Sequence, residues 1–556
     1  MTIRLLETDS FRLASFLSTS VPPYAILSHT WDATGEVTFQ DISDIHKDAN
    51  HPARMKAGFR KIIDTCQRAR LDGFEYCWID TCCIDKTSSS ELSEAINSMF
   101  RWYQEAAVCY VLFTDYKAIS DADEDALRAC RWFTRGWCLQ ELLAPRRVEF
   151  VDSKWKNIGS KTVLASIISN ITLVPVDILT GHASINSLPV AKKLSWAANR
   201  QTTRTEDIAY CLLGILQINM PILYGEGPMA FIRLQEEITK HSNDLSLFAA
   251  LEMDTHHHTS QPYRSLFAES PRDFLLCCDL VYTRNDTYQN DAYALTNRGI
   301  HFSQVNLQVD FERGLYVLLL NCKHASSTES DLGIRIQQVG PNLYVRCDKR
   351  FRPKKTFKSK AYVQKSFPTV VKKNIYIISH LTTTIQAQLL LADEYAIHVS
   401  SCTFDLPNSL QIVERSLTSE CWDISQMYFL TKGRHSFHGY WKFFPIRAIK
   451  DTGVKISGQL DNHCYLFCGF EKPENGSAPK AWVYMLSSRE WQKLERTHGI
   501  ITHLSEALRP FNFGNTRSQI NIGMDPSDGI MATASLIIDS QRRIFELKLE
   551  LDIIAG

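Results

Sequence analysis

Tyr24-Ala-Ile-Leu-Ser28 is a short apolar run that directly follows Pro22-Pro23. Further apolar runs of this kind occur within the first 150 residues. An apolar run bounded by turn residues is typical of a buried strand. Segments of alternating type follow, in chain order helix 57–70, strand 75–79, helix 88–106, strand 107–113, a helix around 137–141 and strand 147–151. Alternating strands and helices form a parallel sheet covered by helices, so the sequence predicts an α/β fold here.

One helix of this series has a defined start. Ser88-Ser-Ser-Glu91 has the form of a capping box, in which a serine and a glutamate satisfy free N–H groups at a helix N-terminus. The apolar stripe of the helix that follows consists of Leu92, Ile96, Met99, Tyr103 and Ala106. This spacing predicts one buried helix face.

Two strand ends of the predicted sheet carry polar and aromatic residues. Sites in parallel sheets form beyond the carboxyl ends of strands, where Ser28-His-Thr-Trp31 and Asp80-Thr-Cys-Cys-Ile-Asp85 both fall. The first block either presents a hydroxyl and a ring to a cleft or forms a turn with Trp31 in the core. Asp80 ends a buried strand, where a carboxylate is costly unless it is paired or faces a site. A capping role and a catalytic role for Asp80 both stay open.

A third block places an aromatic ring beside an acid. Trp137 and Glu141 lie four residues apart in Arg135-Gly-Trp-Cys-Leu-Gln-Glu-Leu-Leu143. Residues at i and i+4 share one helix face, so the two side chains are expected to point the same way. Such a pair is either the floor of a site for a planar cationic ring or a surface acid flanking a buried tryptophan.

Length and charge set further limits. A chain of 556 residues argues for two to four domains. Lys+Arg and Asp+Glu both number 61, so there is no global field that would steer the chain toward nucleic acid or an anionic membrane. No apolar run reaches the ~18–20 residues of a spanning helix, and the N-terminus has no signal-peptide pattern. We therefore expect a cytoplasmic protein with no membrane span, for which nucleic acid is not the expected partner.

The sixteen cysteines sit mostly inside apolar runs. A reducing cytosol would keep such cysteines as small core hydrophobes. No Cys-x-x-Cys occurs, so neither a zinc ribbon nor another metal site is predicted. Cys83 is nevertheless a candidate nucleophile with His29 as its general base, on proximity in the predicted fold alone.

The pattern changes twice along the rest of the chain. Residues 161–250 are helical and are expected to extend the α/β domain at 1–160. Residues 251–265, which include His256-His-His258, have the polar composition of a linker. From 266 to 556, strand-like runs separated by turn signals predict a β-rich, sandwich-like region.

Strands of that region are predicted at 315–320, 343–346, 374–378, 395–399, 463–468, 481–486, 530–538 and 544–551. The run 349–360 is strongly basic with two interleaved phenylalanines. It is either a solvated hairpin loop or a contact for nucleic acid or phosphoinositides. The run 472–479 is predicted to be an exposed loop.

Three blocks of the N-terminal half occur in a distinctive order. They are Tyr24-Ala-Ile-Leu-Ser-His-Thr-Trp31, Tyr76-Cys-Trp-Ile-Asp-Thr-Cys-Cys-Ile-Asp85 and Arg131-Trp-Phe-Thr-Arg-Gly-Trp-Cys-Leu-Gln-Glu-Leu142. Together they resemble the fungal heterokaryon-incompatibility (HET) domain. The later runs Arg204-Thr-Glu-Asp-Ile-Ala-Tyr-Cys-Leu-Leu-Gly214 and Met220-Pro-Ile-Leu-Tyr-Gly-Glu-Gly227 resemble the segment that follows this domain in many members. The resemblance covers roughly residues 20–250.

Two positions depart from the family pattern. Asp32 stands where glycine is frequent, and Lys86 stands where glutamine is common. Both changes would alter the mouth of the expected pocket.

The HET domain is in turn similar to TIR domains, which share a flavodoxin-like parallel sheet. TIR enzymes carry an essential glutamate on a helix, often four residues after a tryptophan, and Trp137-Cys-Leu-Gln-Glu-Leu142 fits that pattern. The resemblance implies cleavage of NAD⁺ at the nicotinamide–ribose bond, with Glu141 as the catalytic carboxylate. The substrate-binding residues that it implies are Ser28, His29, Trp31, Asp80, Cys83 and Trp137.

NAD⁺ would be a substrate here and not a bound cofactor, since the sequence has neither a Walker A motif nor Gly-x-Gly-x-x-Gly. We expect a homo-oligomer on activation, and a protein partner read by the C-terminal β region. Two alternatives stay open. The α/β domain is a non-enzymatic assembly module with Glu141 at an interface, or it is an enzyme that acts on another nucleotide or metabolite.

Overall fold

The computed structural model describes residues 2–251, apart from 33–34, 46, 49 and 118–122, and residues 263–385, apart from 284–291, 311–314, 328–331, 341 and 348–369. Beyond 395 it describes 396–402, 414–415, 422–423, 428–429, 436–443, 464–471, 480–487, 490–493, 517–521, 530–539 and 544–553. The chain divides into two compact units. The first comprises Met1–Ser260, Phe267–Leu295 and Leu319–Ile334, and the second comprises Gln261–Leu266, Thr296–Leu318 and Arg335–Gly556.

The first unit is built on a seven-stranded sheet with a parallel centre. Its strands are β1 Thr2–Glu7, β2 Leu13–Leu17, β3 Tyr24–His29, β4 Tyr76–Trp78, β5 Val108–Leu112, β6 Val148–Val151 and β7 Asn157–Ser160. They stand in the order β2-β1-β4-β3-β5-β6-β7. Strands β4, β3, β5 and β6 run parallel, whereas β1, β2 and β7 are antiparallel to their neighbours. The predicted α/β fold with a parallel sheet is confirmed.

The two central strands are wholly buried. Every residue of β3 and β5 is buried, as expected for parallel strands that are covered on both faces. The chain goes from β3 to β4 on one side and later places β5 on the other side, so the strand order reverses between β3 and β5. Such a reversal opens a crevice at the carboxyl ends of the strands. Ser28 and His29, paired with Val111 and Leu112, lie beside this reversal.

Helices connect these strands and continue after them. The helices of the first unit are α1 Phe39–Ile45, α2 Ala57–Leu71, α3 Asp80–Cys83, α4 Ser89–Glu105, α5 Glu124–Arg128, α6 Arg131–Thr134, α7 Cys138–Leu143, α8 Ala165–Thr172, α9 Val176–Leu179, α10 Val190–Ser195, α11 Asp207–Tyr210, α12 Leu213–Leu216 and α13 Met229–His241. Tyr103 of the predicted apolar stripe donates its hydroxyl to the Leu27 carbonyl (3.0 Å), and Tyr24 donates to the Trp102 carbonyl (2.6 Å). These two bonds tie α4 to β3.

The capping box predicted at the start of α4 is half formed. The Ser88 hydroxyl accepts the Glu91 N–H at 3.3 Å, as expected. The Glu91 carboxylate instead accepts the Asp85 N–H at 2.8 Å and pairs with Arg4 at 2.7 Å. The guanidinium of Arg4 on β1 binds both oxygens of this carboxylate, and such a bidentate ion pair is stronger than a bond from one backbone N–H.

Beyond residue 262 the chain is rich in strands, as predicted. They are β8 Tyr263–Arg264, β9 Leu280–Tyr282, β10 Tyr293–Thr296, β11 Gly299–Asp310, β12 Leu315–Leu319, β13 Cys322–His324, β14 Gly333–Gly340, β15 Leu343–Cys347, β16 Val370–Ile377, β17 Ala396–Cys402, β18 Glu414–Arg415, β19 Trp422–Asp423, β20 Tyr428–Phe429, β21 Ser436–Phe443, β22 Cys464–Glu471, β23 Lys480–Ser487, β24 Arg517–Asn521, β25 Ile530–Asp539 and β26 Ile544–Ile553. Each strand that the sequence predicted in this region overlaps one of these.

These strands form four sheets. Their orders are β10-β11-β12-β14-β15-β16 with β8 beside β15, β13-β9, β19-β20-β17-β26-β25-β24, and β18-β21-β22-β23. The sandwich-like packing of this region stays a prediction. No helix in the described part of the chain combines the length and the apolar character that crossing a membrane requires. The basic run 349–360, His256–His258 and the loop 472–479 lie outside the described residues.

Candidate functional site

Glu141 lies on α7 and is bound to the end of β3. The Ser28 hydroxyl donates a hydrogen bond to Oε2 of Glu141 and accepts one from Nε1 of Trp132, 2.7 Å away. Glu141 is only 7% exposed, and both Ser28 and Trp132 are fully buried. The structure therefore brings Glu141 and Ser28, two of the predicted site residues, into direct contact.

Trp132 of α6 is fixed in place by an aromatic cluster. Its ring meets Phe113 at a centroid distance of 5.8 Å and Phe133 at 5.1 Å, both edge to face. Phe113 in turn stacks on Phe150 at 5.6 Å. Edge-to-face packing of this kind is favourable, so the indole N–H is held toward Ser28.

The Glu141 carboxyl is an acid kept neutral by its surroundings. Burial raises the pKa of Glu141 to about 8, and the negative charge of Asp80 raises it further, while bonds from Ser28 and Cys138 and the charge of Arg200 oppose the rise. A carboxyl with this pKa is mostly protonated at neutral pH. Shifts of this size are concentrated at functional sites.

Trp137 has a different partner from Glu141. It directly precedes α7 and is partly buried, and its Nε1 donates to Oδ2 of Asp207 at 3.3 Å. The Tyr224 hydroxyl donates to the other oxygen of Asp207 at 3.0 Å. The predicted helix face is thus divided, since Glu141 binds Ser28 on β3 whereas Trp137 binds Asp207 on α11.

Asp80, at the start of α3, is the centre of a second polar group. Its Oδ1 lies 3.2 Å from Nε2 of His29, and its Oδ2 lies 3.9 Å from Nζ of Lys86. Burial favours the neutral acid, but Lys86, His29 and a bond from the Trp31 indole together hold the pKa of Asp80 below its usual range. Asp80 is therefore a carboxylate, in contrast to Glu141.

His29 is locked between Asp80 and Lys61. The ammonium of Lys61 lies 3.4 Å from Nδ1 of His29, donates to the Thr30 carbonyl at 3.2 Å and also binds the Glu36 carboxylate. A lysine ammonium only donates, so Nδ1 is the accepting nitrogen and Nε2–H donates to Asp80. The contacts of His29 therefore assign its Nε2–H to the bond with Asp80.

Cys83 belongs to a group of buried thiols, and its predicted pairing with His29 stays a prediction. Its Sγ accepts the Ile79 N–H at 3.4 Å. The Cys66 and Cys77 sulfurs lie 3.6 Å apart, and contact with Cys66 together with burial raises the pKa of Cys77 well above its usual value. Contact with Cys83 and burial do the same for Cys82. These surroundings disfavour the thiolate forms of Cys77 and Cys82.

Both ends of the segment that carries Glu141 are fixed by cations. Before α7, Nη1 of buried Arg200 donates to the Arg135 carbonyl at 2.8 Å. After it, Nζ of Lys161 donates to the carbonyls of Leu142 (3.2 Å) and Pro145 (2.6 Å). Burial lowers the pKa of Lys161 to about 8. A cation is favourable at a helix C-terminus, where carbonyls lack partners.

The residues that the sequence did not single out for the site are Trp132, Lys61, Glu36, Lys161, Arg200 and Asp207. Trp132 and Asp207 lie inside the runs that carry the family resemblance, but nothing in those runs indicates their hydrogen bonds. The other four are charged residues that no local pattern marks. Lys86 was noted only as a departure from a family pattern. Among the described residues, no group of three or more His, Cys, Asp and Glu side chains is placed to hold a metal ion.

Comparison with known proteins adds two findings. Residues 24–129 match the family described as Heterokaryon incompatibility protein (HET). The chain is also similar to Vegetative incompatibility protein HET-E-1 of Podospora anserina, at 44% identity over 250 residues. That match covers 43% of this chain and 18% of the relative, so the chain spans less than a fifth of the relative's length. No solved structure matches the chain.

Proposed function

Because its N-terminal part is a heterokaryon-incompatibility domain, we propose that this chain is an effector of an incompatibility response that ends in cell death. We further propose that the domain hydrolyses NAD⁺ at the nicotinamide–ribose bond after self-association. Glu141 is the catalytic carboxyl of this proposal. The observation that carries it is the buried bond between Glu141 and Ser28 at the end of a central parallel strand.

The strand order supports a flavodoxin-like or TIR-like sheet. Numbered among themselves in chain order, the parallel strands β3, β4, β5 and β6 stand as 2-1-3-4. A flavodoxin-like sheet has this order, and its ligands bind where the order reverses. Ser28 and His29 lie at this position.

The proposed reaction needs little acid catalysis. Water adds to the ribose carbon, the bond to nitrogen breaks with its electron pair going to the ring, and neutral nicotinamide leaves. The proton lost by water passes to the carboxylate and then to solvent. A carboxylate beside the ribose stabilises the oxocarbenium-like transition state and directs the water. Glu141 must be ionised for this role, and the positive charge of the substrate ring favours its ionisation.

The test is NAD⁺ consumption by the purified full chain, with release of nicotinamide and ADP-ribose as the readout. We expect Glu141→Gln and Glu141→Ala each to lower turnover by at least ~100-fold, the usual contribution of a catalytic carboxyl. Exposed Glu105 provides a matched control, and Glu105→Gln should retain turnover. Turnover that persists in Glu141→Ala would rule out the site.

The burial of Glu141 favours a second function. A neutral glutamate that is 7% exposed and bonded to Ser28 also fits a structural part of a non-enzymatic assembly module. This alternative predicts no NAD⁺ turnover by self-associated protein, together with normal self-association of Glu141→Gln. Turnover of a different nucleotide or metabolite in the same assay format would instead identify an enzyme of another specificity.

A further inference from the structure

We propose that the exposed face of Trp31, with Asp80 beside it, is a binding site for a planar organic cation, and that Lys86 occupies this site until the ligand displaces it. The inference deepens the proposed function, on which it rests for the natural ligand, the positively charged nicotinamide ring of NAD⁺. It relocates the cation-binding ring that the sequence suggested at Trp137.

Trp31 is placed and exposed as a binding surface requires. It lies two residues beyond the end of β3, at the end of the sheet where the strand order reverses. It remains 46% exposed although the preceding residues, Ser28, His29 and Thr30, are all buried. Its indole lies close enough to Asp80 to lower the pKa of that carboxyl, so the ring and the carboxylate belong to one site.

A cation already lies on this ring. Nζ of Lys86 is 3.6 Å from the centroid of Trp31 and 3.9 Å from Oδ2 of Asp80. Tryptophan has the aromatic face that attracts cations most strongly, and aromatic faces of this kind recognise quaternary ammonium ligands. The site therefore offers the two features that a cationic ring needs, a π face and a carboxylate.

The ion pair between the Lys86 ammonium and Asp80 is long, since 3.9 Å between Nζ and Oδ2 exceeds hydrogen-bond distance. Burial opposes the charge of the ammonium and lowers the pKa of Lys86, although Asp80 acts in the opposite direction. An ammonium also covers little of the indole, whereas a planar cation adds stacking over the whole ring to the same charge interaction.

Only a side chain has to move to free the site. Lys86 lies in a turn whose backbone is fixed by its neighbours, because Asp85 Oδ1 accepts the Thr87 N–H at 3.0 Å and the Thr87 hydroxyl at 2.6 Å. Gln40 holds the same carboxylate at 2.9 Å. The flexible stem of Lys86 can swing out while the turn stays in place. After bond cleavage the ring is neutral, so Lys86 regains the site and helps the product to leave.

The experiment is a calorimetric titration of the full chain with 1-methylnicotinamide, a planar cation that lacks the scissile bond, and with neutral nicotinamide. We expect Lys86→Met to tighten binding of the cation by roughly three- to tenfold, because its competitor is gone, and to leave nicotinamide binding unchanged. Trp31→Leu should abolish binding of the cation in both backgrounds. Lys47→Met, which removes a surface ammonium that is 75% exposed, should behave like the wild type.

Two results would overturn the inference. One is a wild-type affinity for 1-methylnicotinamide in Lys86→Met, provided that this variant has the melting temperature of the wild type. The other is cation binding that survives Trp31→Leu. Neither binding measurement needs turnover, so the cation site at Trp31 and the proposed NAD⁺ hydrolysis are tested independently. Absence of NAD⁺ hydrolysis with the expected titrations removes only the proposed function, and Glu141-dependent hydrolysis with unaltered titrations removes only this site.

Discussion

At the scale of single residues, the site holds two carboxyl groups in opposite states. Glu141 is surrounded by Ser28, Trp132 and apolar neighbours, and burial raises its pKa to about 8. Asp80 is nearer to solvent and has Lys86 and His29 beside it, which keep it ionised. Carboxyls whose environments push their pKa values apart are the usual basis for assigning acid and base roles.

The raised pKa of Glu141 predicts how the stability of the fold depends on pH. The folded chain retains this proton up to about pH 8, whereas an unperturbed glutamate releases it near 4.5. The stability associated with the neutral carboxyl is complete below pH 4.5 and is lost as the pH rises through about 8. We therefore expect Glu141→Gln, which cannot ionise, to be the more stable protein at high pH.

Thermal or urea unfolding across this range measures the effect. The difference in the free energy of unfolding between Glu141→Gln and the wild type should grow with pH and reach the order of a few kcal/mol near pH 8. Glu105→Gln serves as the exposed control, and its difference from the wild type in the free energy of unfolding should stay constant over this pH range. A Glu141→Gln curve parallel to that of the wild type would mean that the carboxyl is not held neutral.

The sequence could predict which residue types gather at the site but not their partners. Ser28, His29, Asp80 and Glu141 were found because they follow predicted strands or match a family motif. The contact of Lys86 with Trp31 joins residues far apart in sequence through a flexible side chain, and no spacing rule reports such a contact. Trp132 escaped notice because its polar role depends on a single N–H of an otherwise apolar residue.

At the scale of elements, α7 is too short to hold Glu141 in place by itself. It has six residues, and helices of that length are not stable without packing or caps. Lys161 supplies the support by donating to the carbonyls of Leu142 and Pro145. Periodicity predicted that a helix lies here. It could not predict that the helix begins after Trp137, or that a lysine beyond β7 ends it.

Lys161→Met tests this support. The change keeps an apolar stem and leaves two buried carbonyls without a donor, which should cost about 1–3 kcal/mol of the free energy of unfolding. Exposed Lys154 offers a matched substitution, and Lys154→Met should stay within ~0.5 kcal/mol of the wild type in the same urea titration. Equal losses in both variants would contradict a specific role for Lys161.

At the scale of the whole molecule, the first unit gathers segments that are distant in sequence. Gln235 of α13 is fully buried, and its amide exchanges two hydrogen bonds with Ala268, at 2.8 Å and 2.9 Å. Tyr282 donates to Asp244 at 2.9 Å. Composition and periodicity predicted a change of character near residue 250. They could not show that a later segment completes the same unit, because a buried amide has no periodic signature.

Two fragments of the chain test this organisation. Residues 1–334 include every segment of the first unit, whereas residues 1–250 lack Ala268 and Tyr282, which bond to Gln235 and Asp244. We expect the shorter fragment to unfold at a lower urea concentration, because the buried amide oxygen of Gln235 loses the Ala268 N–H, at a cost of about 1–3 kcal/mol. Coincident unfolding curves would show that the later segments add nothing to the unit.

Buried cysteines near Asp80 also allow local opening of the fold to be measured by the rate of their alkylation. Cys66, Cys77, Cys82 and Cys83 are at most 3% exposed, and alkylating reagents react with thiolates that solvent can reach. Each of these sulfurs is therefore modified only during excursions in which α2 or α3 separates from the sheet. The rate of carbamidomethylation at each position, followed by peptide mass spectrometry, would time these excursions without any introduced label, and a ligand that holds Trp31 and Asp80 together should slow it.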